Sequence, residues 1–342
     1  MQDLGARVKA ASAVLANITT AEKDEALKIA ADCLVAATPE ILEANCADIE
    51  RAQTEGTPDT VIDRLRLDTS RVDAMGEGLR QLVALTDPIG KTVEQWTRPN
   101  GLEIQKIRVP LGVVAIIYEN RPNVTSDAFG LCLKSGNAAF LRGSSAAIDS
   151  NIAIARALRE GITKAGLPED ALMLVTDTSH AAAIEFMQLR DHIDCLIPRG
   201  GPSLINSILD NAKVPYVIDG DGNCHVYVDE AADLDLATKV IVNAKMQRPS
   251  VCNAAESLVL HSQIAASFLP RITDALKGVE LVGDKRAQDL VPSIQPATEQ
   301  DWSTCLLYTS DAADEGLGVD LGGRRIIKKK RGGGGGGGAG GG

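Results

Sequence analysis

Two different hydrophobic periods divide the chain. From residue 4 to about residue 85, apolar residues recur at intervals of three and four with charged residues between them, as in KDEALKIAADCLVAATPEILEANCADIERA. This spacing puts the apolar side chains on one face of each helix and predicts a helical layer. From Leu111 onward, short apolar runs such as GVVAIIYE, AAFLRG and IDCLIP alternate with amphipathic segments. Repeated βα units of this kind build a parallel sheet covered by helices, so the pattern predicts an α/β fold.

The segment that joins the two patterns is expected to form a hairpin. Residues 96–107 read WTRPNGLEIQKI, in which the pair Asn100 and Gly101 tolerates a positive φ at a tight turn. We expect this hairpin to be an arm that joins copies of the chain into a homo-oligomer.

The pattern also predicts how the chain divides into domains. We expect residues 1–228 to combine the helical layer with a Rossmann-like, nucleotide-binding sheet, and residues 229–305 to form part of a second α/β domain. Residues 306–342 are rich in glycine, contain a KKKR run and show no periodicity. We therefore predict that this tail is disordered and unrelated to the folded part.

Composition supports this fold and argues against several functions. Aromatic residues make up 3% of the 342 residues and hydrophobic residues 44%, so the core must come from Ala, Val, Leu and Ile, the usual material of parallel sheets. A net charge of -11 argues against binding to nucleic acid or to an anionic membrane, since both need a positive field. The seven cysteines are scattered, with no CxxC pair and no zinc-type cluster, so neither disulfide bonds nor a metal is expected. Because no leader-like or membrane-spanning apolar run occurs, the expected location is the cytoplasm.

The strongest candidate for chemistry is Cys252, in the polar segment NAKMQRPSVCNA. A cysteine attacks a carbonyl or acyl carbon only as a thiolate, which a nearby cation such as Arg248 and backbone N–H groups would stabilise. An ordinary half-buried cysteine is the alternative that this segment alone leaves open.

Three strand-to-helix junctions carry polar residues to the carboxyl edge of the predicted sheet, where open α/β sheets bind ligands. After the strand that ends at Tyr118, Arg121 suits an anionic substrate group, and Asn123 either donates to an oxyanion or caps its helix. The other two junctions suit the ribose or phosphate of a nucleotide, through backbone N–H groups and a cation. They consist of Arg142, Gly143, Ser144 and Ser145, and of Arg199, Gly200 and Gly201.

Together these segments point to a family. The stretches VPLGVVAIIYENRPNVTSDA, CLKSGNAAFLRG, CLIPRGG, CHVYVD and VNAKMQRPSVCNAAESLVL resemble the gamma-glutamyl phosphate reductases, also called glutamate-5-semialdehyde dehydrogenases, of the aldehyde dehydrogenase superfamily. The resemblance covers about residues 4–304. It implies an aldehyde dehydrogenase-like fold and the NADPH-dependent reduction of L-glutamyl 5-phosphate to L-glutamate 5-semialdehyde and phosphate, the second step of proline biosynthesis. It also implies a separate glutamate 5-kinase that supplies the acyl phosphate, and it leaves the choice between NADPH and NADH open.

The resemblance implies a role for each candidate residue. Cys252 would form a thioester that hydride from NADPH reduces, while Asn123 or Asn120 stabilises the tetrahedral oxygen. The remaining candidates are the cofactor contacts Arg142, Gly143, Ser145, Arg199, Gly200 and Gly201 and the substrate contacts Arg121 and Arg248.

The chain differs from hydrolytic aldehyde dehydrogenases in one segment and departs from the family that it resembles in another. Hydrolytic aldehyde dehydrogenases carry a glutamate base where this chain reads VIDGDG, with Ile218 near that place, so a hydrolytic reaction is not expected. After the DWST segment the chain no longer resembles the family, so we expect poor solubility and little or no activity from it. The alternatives to a reductase are another acylating aldehyde dehydrogenase and a non-catalytic fragment of the same fold.

Overall fold

The structure is a computed structural model that describes residues 1–218, 223–247, 253–299, 301–302 and 316–320, with backbone alone for 59–60 and for 316–320. Its contacts divide the chain into two compact units, Met1–Gly220 and Asp221–Gly342. Each unit has its own parallel sheet and its own hydrophobic core.

The N-terminal helical layer forms as the sequence predicts. Leu27, Leu34 and Val72 are fully buried in the core of the first unit. Helix α2 begins with a capping box, in which the Thr19 hydroxyl accepts from the Glu22 N–H and the Glu22 carboxylate accepts from the Thr19 N–H. The five helices of the layer are α1 (Gln2–Leu15), α2 (Thr20–Ala36), α3 (Thr38–Thr54), α4 (Asp59–Leu65) and α5 (Thr69–Ala84).

Two buried lysines tie this layer to the segments that follow it. The Lys23 ammonium lies 2.9 Å from the Asp87 carboxylate, just beyond α5. The Lys134 ammonium lies 2.5 Å from the Asp24 carboxylate on α2. Both lysine side chains are almost fully buried, so each charge depends on its partner.

The predicted hairpin is confirmed, although its first strand begins before residue 96. Strand β1 (Thr92–Thr97) pairs antiparallel with β2 (Glu103–Ile107). Gly101 has a φ of 86°, which permits the tight turn. Every side chain of β1 is exposed, including the indole of Trp96.

The first unit contains a four-stranded parallel sheet. It consists of β3 (Val113–Tyr118), β4 (Ala138–Arg142), β5 (Leu172–Leu174) and β6 (Cys195–Arg199), in the order β5-β4-β3-β6. Every residue of β3 and β4 is buried, because helices cover both faces of the sheet. The helices that follow these strands are α6 (Asn123–Lys134), α7 (Ile148–Lys164), α8 (His180–Met187) and α9 (Pro202–Asn211).

The second unit contains a five-stranded parallel sheet in the order β10-β9-β11-β8-β7. The helix Ser262–Ala275 contributes the buried side chains of Phe268, Leu269 and Ile272 to the core of this unit. Its elements are β7 (His225–Val228), α10 (Leu234–Met246), β8 (Ser257–Leu260), α11 (Ser262–Ala275), β9 (Glu280–Gly283), α12 (Lys285–Leu290), β10 (Gln295–Pro296) and β11 (Gly316–Asp320).

The structure differs from the predicted organisation at two points. Strand β7 belongs to the second unit although it precedes residue 229, because it pairs in parallel with β8. Strand β11 lies in the tail for which the sequence predicts no element, and it pairs with both β8 and β9. The glycines of β11 give it a low strand propensity, but two neighbouring strands supply the hydrogen bonds that hold it.

Two further findings concern only the residues that the structure describes. None of their helices is long and apolar enough to cross a membrane. Nor do they contain a group of three or more His, Cys, Asp or Glu residues that could hold a metal ion.

Candidate functional site

Strand β3 lies between β4 and β6 in the first sheet, so the loop that follows it lies beside the loops that follow those two strands. Tyr118 at the end of β3 pairs with Arg199 on β6, and Ile117 pairs with Arg142 on β4. Because these strands are parallel, their loops emerge at the same edge of the sheet. We call them the β3 loop (residues 119–122), the β4 loop (143–147) and the β6 loop (200–201).

The order of the strands predicts a ligand-binding crevice at this edge. The chain runs from β3 to β4 and β5 on one side, and it returns to the other side of β3 with β6. The point at which an open α/β sheet changes direction in this way is where nucleotides bind. The β3 and β6 loops flank that point.

Asn120 lies in the β3 loop, and a residue of the β4 loop holds its side chain. The Ser144 hydroxyl donates to Asn120 Oδ1 at 3.0 Å. With its oxygen held in this way, the amide directs its Nδ2 group to the opposite side. No described residue accepts a hydrogen bond from this Nδ2, so Asn120 presents two unused N–H donors.

Asn123 is the first residue of α6, and its amide is already engaged. Its Nδ2 donates to the Asp127 carboxylate at 2.9 Å, one helical turn later. The N-cap position belongs to Pro122, and no side chain caps this helix. One N–H donor of Asn123 therefore serves the surface of α6, Asn123 does not cap this helix, and its predicted oxyanion role stays a prediction.

Arg121 follows Asn120 in the β3 loop and carries a positive charge. Its side chain is half-buried. Within the described ranges, no carboxylate forms an ion pair with its guanidinium. A cation held at a sheet edge without a protein counter-ion is suited to an anionic ligand.

Arg142 ends β4 and is 9% exposed. Its Nη2 donates to the carbonyl oxygens of Thr178 and Ser179 at 2.8 and 2.9 Å. Burial lowers the pKa of this guanidinium, and the nearby Asp177 carboxylate opposes that effect. Arg142 thus fastens the loop after β5 to the sheet edge, a role that its position in the sequence did not indicate.

Gly143 begins the β4 loop at a point where no side chain fits. A Cβ at this position would lie 2.2 Å from Asn151 Nδ2 and 3.4 Å from the Tyr118 ring. Asn151 Oδ1 in turn accepts from the Thr125 hydroxyl at 3.0 Å, which lies 2.7 Å from the Tyr118 hydroxyl. These buried hydrogen-bonded side chains pack against the β4 loop. Burial also raises the pKa of the Tyr118 phenol, which favours its protonated form.

The β6 loop is held by a carboxylate from the β3 loop. Glu119 Oε2 accepts from the Gly201 N–H at 3.1 Å, and the Glu119 N–H donates to the Arg199 carbonyl at 3.1 Å. A Cβ at Gly200 would lie 2.6 Å from the Glu119 carboxyl carbon. The sequence predicts a phosphate at this helix N-terminus and does not reveal Glu119, because the contact joins residues 82 positions apart.

Ser145 and Arg199 complete the edge, and both side chains are exposed. Ser145 opens a short 3₁₀ turn that leads into α7. Asn123 contacts Asp127 on its own helix. The candidates that share the sheet edge are Asn120, Arg121, Gly143, Ser145, Arg199, Gly200 and Gly201.

Comparison with known proteins identifies the family. The aldehyde dehydrogenase family matches residues 3–335. A gamma-glutamyl phosphate reductase from Clostridium botulinum (strain Eklund 17B / Type B) is 52% identical over 300 residues, which are 87% of this chain and 72% of that protein. The chain belongs to the gamma-glutamyl phosphate reductase family.

Solved structures of gamma-glutamyl phosphate reductases agree with this fold. The enzyme from Thermotoga maritima is 43% identical with a TM-score of 0.84, over 93% of this chain and 76% of that one. The enzyme from Saccharomyces cerevisiae is 26% identical with a TM-score of 0.61, over 93% of this chain and 80% of that one. The predicted family and the predicted aldehyde dehydrogenase-like α/β fold are confirmed.

Two of the predicted site residues lie outside the described residues. They are Cys252 and Arg248, in the segment that follows α10 and precedes β8 in the chain. Among the described residues on either side of it, the Ala255 N–H donates to the Ala244 carbonyl on α10 at 3.0 Å. The roles of Cys252 and Arg248 stay predictions.

Proposed function

We propose that this protein catalyses the NADPH-dependent reduction of L-glutamyl 5-phosphate to L-glutamate 5-semialdehyde and phosphate, the second step of proline biosynthesis. The observation that carries the proposal is the 52% identity over 300 residues with a gamma-glutamyl phosphate reductase. The cluster of polar loop residues at the switch point of the first sheet supports it, since that edge is where this fold class binds ligands.

In the proposed reaction Cys252 is the nucleophile. Its thiolate attacks the acyl carbon of the substrate, a carbon–sulfur bond forms, and phosphate leaves with the electron pair of the broken carbon–oxygen bond. The tetrahedral oxygen that develops in this step carries negative charge and needs N–H donors. Bound NADPH supplies the hydride that takes the thioester to the aldehyde.

Of the two asparagines, we assign the oxyanion donor to Asn120. Its Nδ2 has no acceptor among the described residues, and Ser144 holds its oxygen. Asn123 Nδ2 is used by Asp127. Among the described residues, Asn120 offers two N–H donors to a developing oxyanion, whereas Asn123 offers one.

We assign the anionic groups of the substrate to Arg121 and Arg248. The substrate carries a phosphate and a carboxylate, and a planar guanidinium matches the geometry of either. Arg121 lies one residue after the proposed oxyanion donor, so it would bind close to the reacting group.

The residues present fit a nicotinamide dinucleotide at the same edge. Ser145 and Arg199 are exposed at this edge, and the Gly143 and Gly200 positions are packed against Asn151 and Glu119, which fixes the course of both loops. We assign Ser145, Arg199, Gly200 and Gly201 as direct contacts, with Arg142 and Gly143 shaping the β4 loop. The hairpin as an arm for a homo-oligomer, a glutamate 5-kinase as the source of the acyl phosphate and a cytoplasmic location belong to the same proposal.

The reverse reaction tests this proposal. The sequence after the DWST segment predicts a low rate, and we expect whatever NADP⁺ reduction this chain performs with L-glutamate 5-semialdehyde to require inorganic phosphate and to be abolished by C252A. Cys46 is an exposed cysteine outside the proposed site, so C46A is the matched control and keeps full turnover. Reduction that requires coenzyme A in place of phosphate would instead identify another acylating aldehyde dehydrogenase.

Alkylation provides a test that needs no turnover. If Cys252 is the nucleophile, the substrate and NADP⁺ together protect it from iodoacetamide more than they protect Cys46. Equal labelling of the two thiols with and without these ligands would support a non-catalytic fold.

A further inference from the structure

Ser144 occupies a position at which a serine normally serves its own helix. It is the residue before the 3₁₀ turn Ser145–Ala147, and its backbone is extended, with φ and ψ of -74° and 160°. Serine hydroxyls at such N-cap positions usually accept a hydrogen bond from a backbone N–H two or three residues later. No such side-chain cap is formed by Ser144.

The hydroxyl of Ser144 instead crosses to another strand's loop. It donates to Asn120 Oδ1 at 3.0 Å, over a sequence separation of 24 residues. The hydroxyl proton of Ser144 is therefore committed to a contact between two loops and not to its own helix.

The contact with Ser144 holds the Asn120 amide in one of its two orientations in this structure. The amide group of asparagine can rotate by half a turn and exchange its oxygen with its nitrogen at little steric cost. In the structure the Ser144 hydroxyl donates to Oδ1, so the amide adopts the state with its oxygen toward the β4 loop. That state presents the Nδ2 donors, which an oxyanion requires, and not the oxygen, which would repel it.

Buried contacts fix the two residues that precede Ser144. Gly143 lies against Asn151 and the Tyr118 ring, with no room for a Cβ. Arg142 before it is fastened to two carbonyl oxygens. Because both preceding residues are fixed by buried contacts, the Ser144 hydroxyl has a defined position relative to β3.

We propose that Ser144 is a positioning residue that holds the Asn120 side chain with its N–H donors toward the reacting oxygen. The inference rests on the proposed function, in which Asn120 is the oxyanion donor. Ser144 itself does not touch the substrate, so its effect appears in the chemical step and not in the binding of either substrate.

Steady-state kinetics of S144A test this role. We expect kcat to fall about tenfold, less than the loss of a whole oxyanion donor, while KM for both substrates changes less than about twofold. S144T keeps the hydroxyl and restores kcat. S145A is the matched neighbour, and we expect it to raise KM for NADPH with little change in kcat.

A double-mutant cycle separates positioning from a general structural effect. Once N120A has removed the amide, adding S144A should cause no further loss of kcat. If S144A lowers kcat by the same factor in both backgrounds, or if it acts by raising KM, the proposal is wrong. Should S144A fold poorly, S144C replaces it, because its thiol has nearly the same size and is a weak donor.

A spectroscopic readout tests the contact without turnover. The side-chain amide signal of Asn120, assigned by its loss in N120A, should move toward the position of an exposed amide in S144A and stay unchanged in S145A. An unmoved signal overturns the proposal. If the wild-type chain shows no phosphate-dependent activity but S144A moves this signal, the proposed function fails while the positioning contact stands.

Discussion

At the residue scale, the two asparagines of the segment ENRPN differ in their hydrogen-bond partners. Asn120 receives a hydrogen bond on its oxygen from Ser144, whereas Asn123 gives its Nδ2 hydrogen bond to Asp127. The residue type and the segment are the same, so their chemistry depends on which groups the fold brings near them. The contact of Asn120 is long-range, and that of Asn123 lies within one helical turn.

This difference predicts unequal effects of alanine at the two positions. We expect N120A to lower kcat about a hundredfold, which is typical of the loss of one oxyanion donor. N123A removes an exposed side-chain pair within one turn and should cost only about 0.3 kcal/mol of stability, with kcat near the wild-type value. Steady-state rates of phosphate-dependent NADP⁺ reduction measure both, and equal losses of kcat would contradict the assignment of the donor.

The close packing at Gly143 predicts the effect of adding a methyl group at this position. Because a Cβ there would lie 2.2 Å from Asn151 Nδ2, G143A must push the β4 loop away from its buried support. We expect a loss of about 1–3 kcal/mol in the free energy of unfolding, measured with urea, together with lower activity.

The matched control for this change is G78A. Gly78 lies inside helix α5, and a Cβ added there would meet no other atom within 4 Å, so alanine should stabilise the protein by about 0.5–1 kcal/mol. If G143A proves as harmless as G78A, the close approach of Asn151 to the loop is not a constraint.

At the scale of elements, the helical layer is held by charges as well as by apolar packing. Lys23 is 3% and Asp87 10% exposed. Burial by itself raises the pKa of Asp87, but hydrogen bonds from the Ile89 N–H, Lys23 and Thr20 outweigh it, so the pKa lies below its ordinary value. The ionised carboxylate is therefore favoured by folding.

The sign of this shift predicts how stability depends on pH. The contribution of Asp87 is complete above the pKa of an unfolded aspartate, about 3.9, and is lost as the pH falls through the lower folded value. At pH 7, D87N leaves the Lys23 ammonium buried without its counter-ion, and we expect it to cost about 3 kcal/mol. Urea unfolding of the two proteins should converge as the solution is acidified below about pH 4.

Asp32 provides the exposed counterpart of Asp87. Its ion pair with Arg80 has an N–O distance of 2.7 Å, but its side chain is 71% exposed. Solvent screens such a pair, so D32N should change stability by less than about 1 kcal/mol at pH 7. A larger effect of D32N than of D87N would mean that burial is not what makes the Lys23 pair important.

At the scale of the whole molecule, each unit completes a parallel sheet of its own. In the second unit, strand β11 lies between β8 and β9 and pairs with both of them. Without it, two inner strands of this sheet would have unpaired edges. The second sheet therefore depends on a segment that is distant from it in the chain.

Shortened chains test this dependence. A chain that ends at residue 320 keeps β11, and a chain that ends at residue 304 lacks it. We expect the backbone amides of β8 and β9 to exchange with deuterium much faster in the shorter chain, while those of β3 and β4 in the first unit keep their protection. Equal protection of β8 and β9 in the two chains would show that β11 adds nothing to the sheet.

The sequence alone determined the features that repeat along it. The helical layer, the parallel sheet of the first unit, the hairpin and the loops that carry polar residues all follow from local periodicity and turn chemistry, because these depend on residues within one or two turns of each other. The long ordered motifs also identified the family, which the comparisons confirm. The roles assigned to Cys252 and Arg248 are predictions from the sequence as well.

The tertiary structure decided which residues meet. The strand order puts β3 between β4 and β6, and only then do Ser144 and Glu119 become partners of the β3 and β6 loops. The same applies to Arg142 and its carbonyl partners, and to β11, whose own propensity is low. Each of these contacts joins residues far apart in the chain, and no local pattern encodes a pairing that depends on how distant strands are arranged.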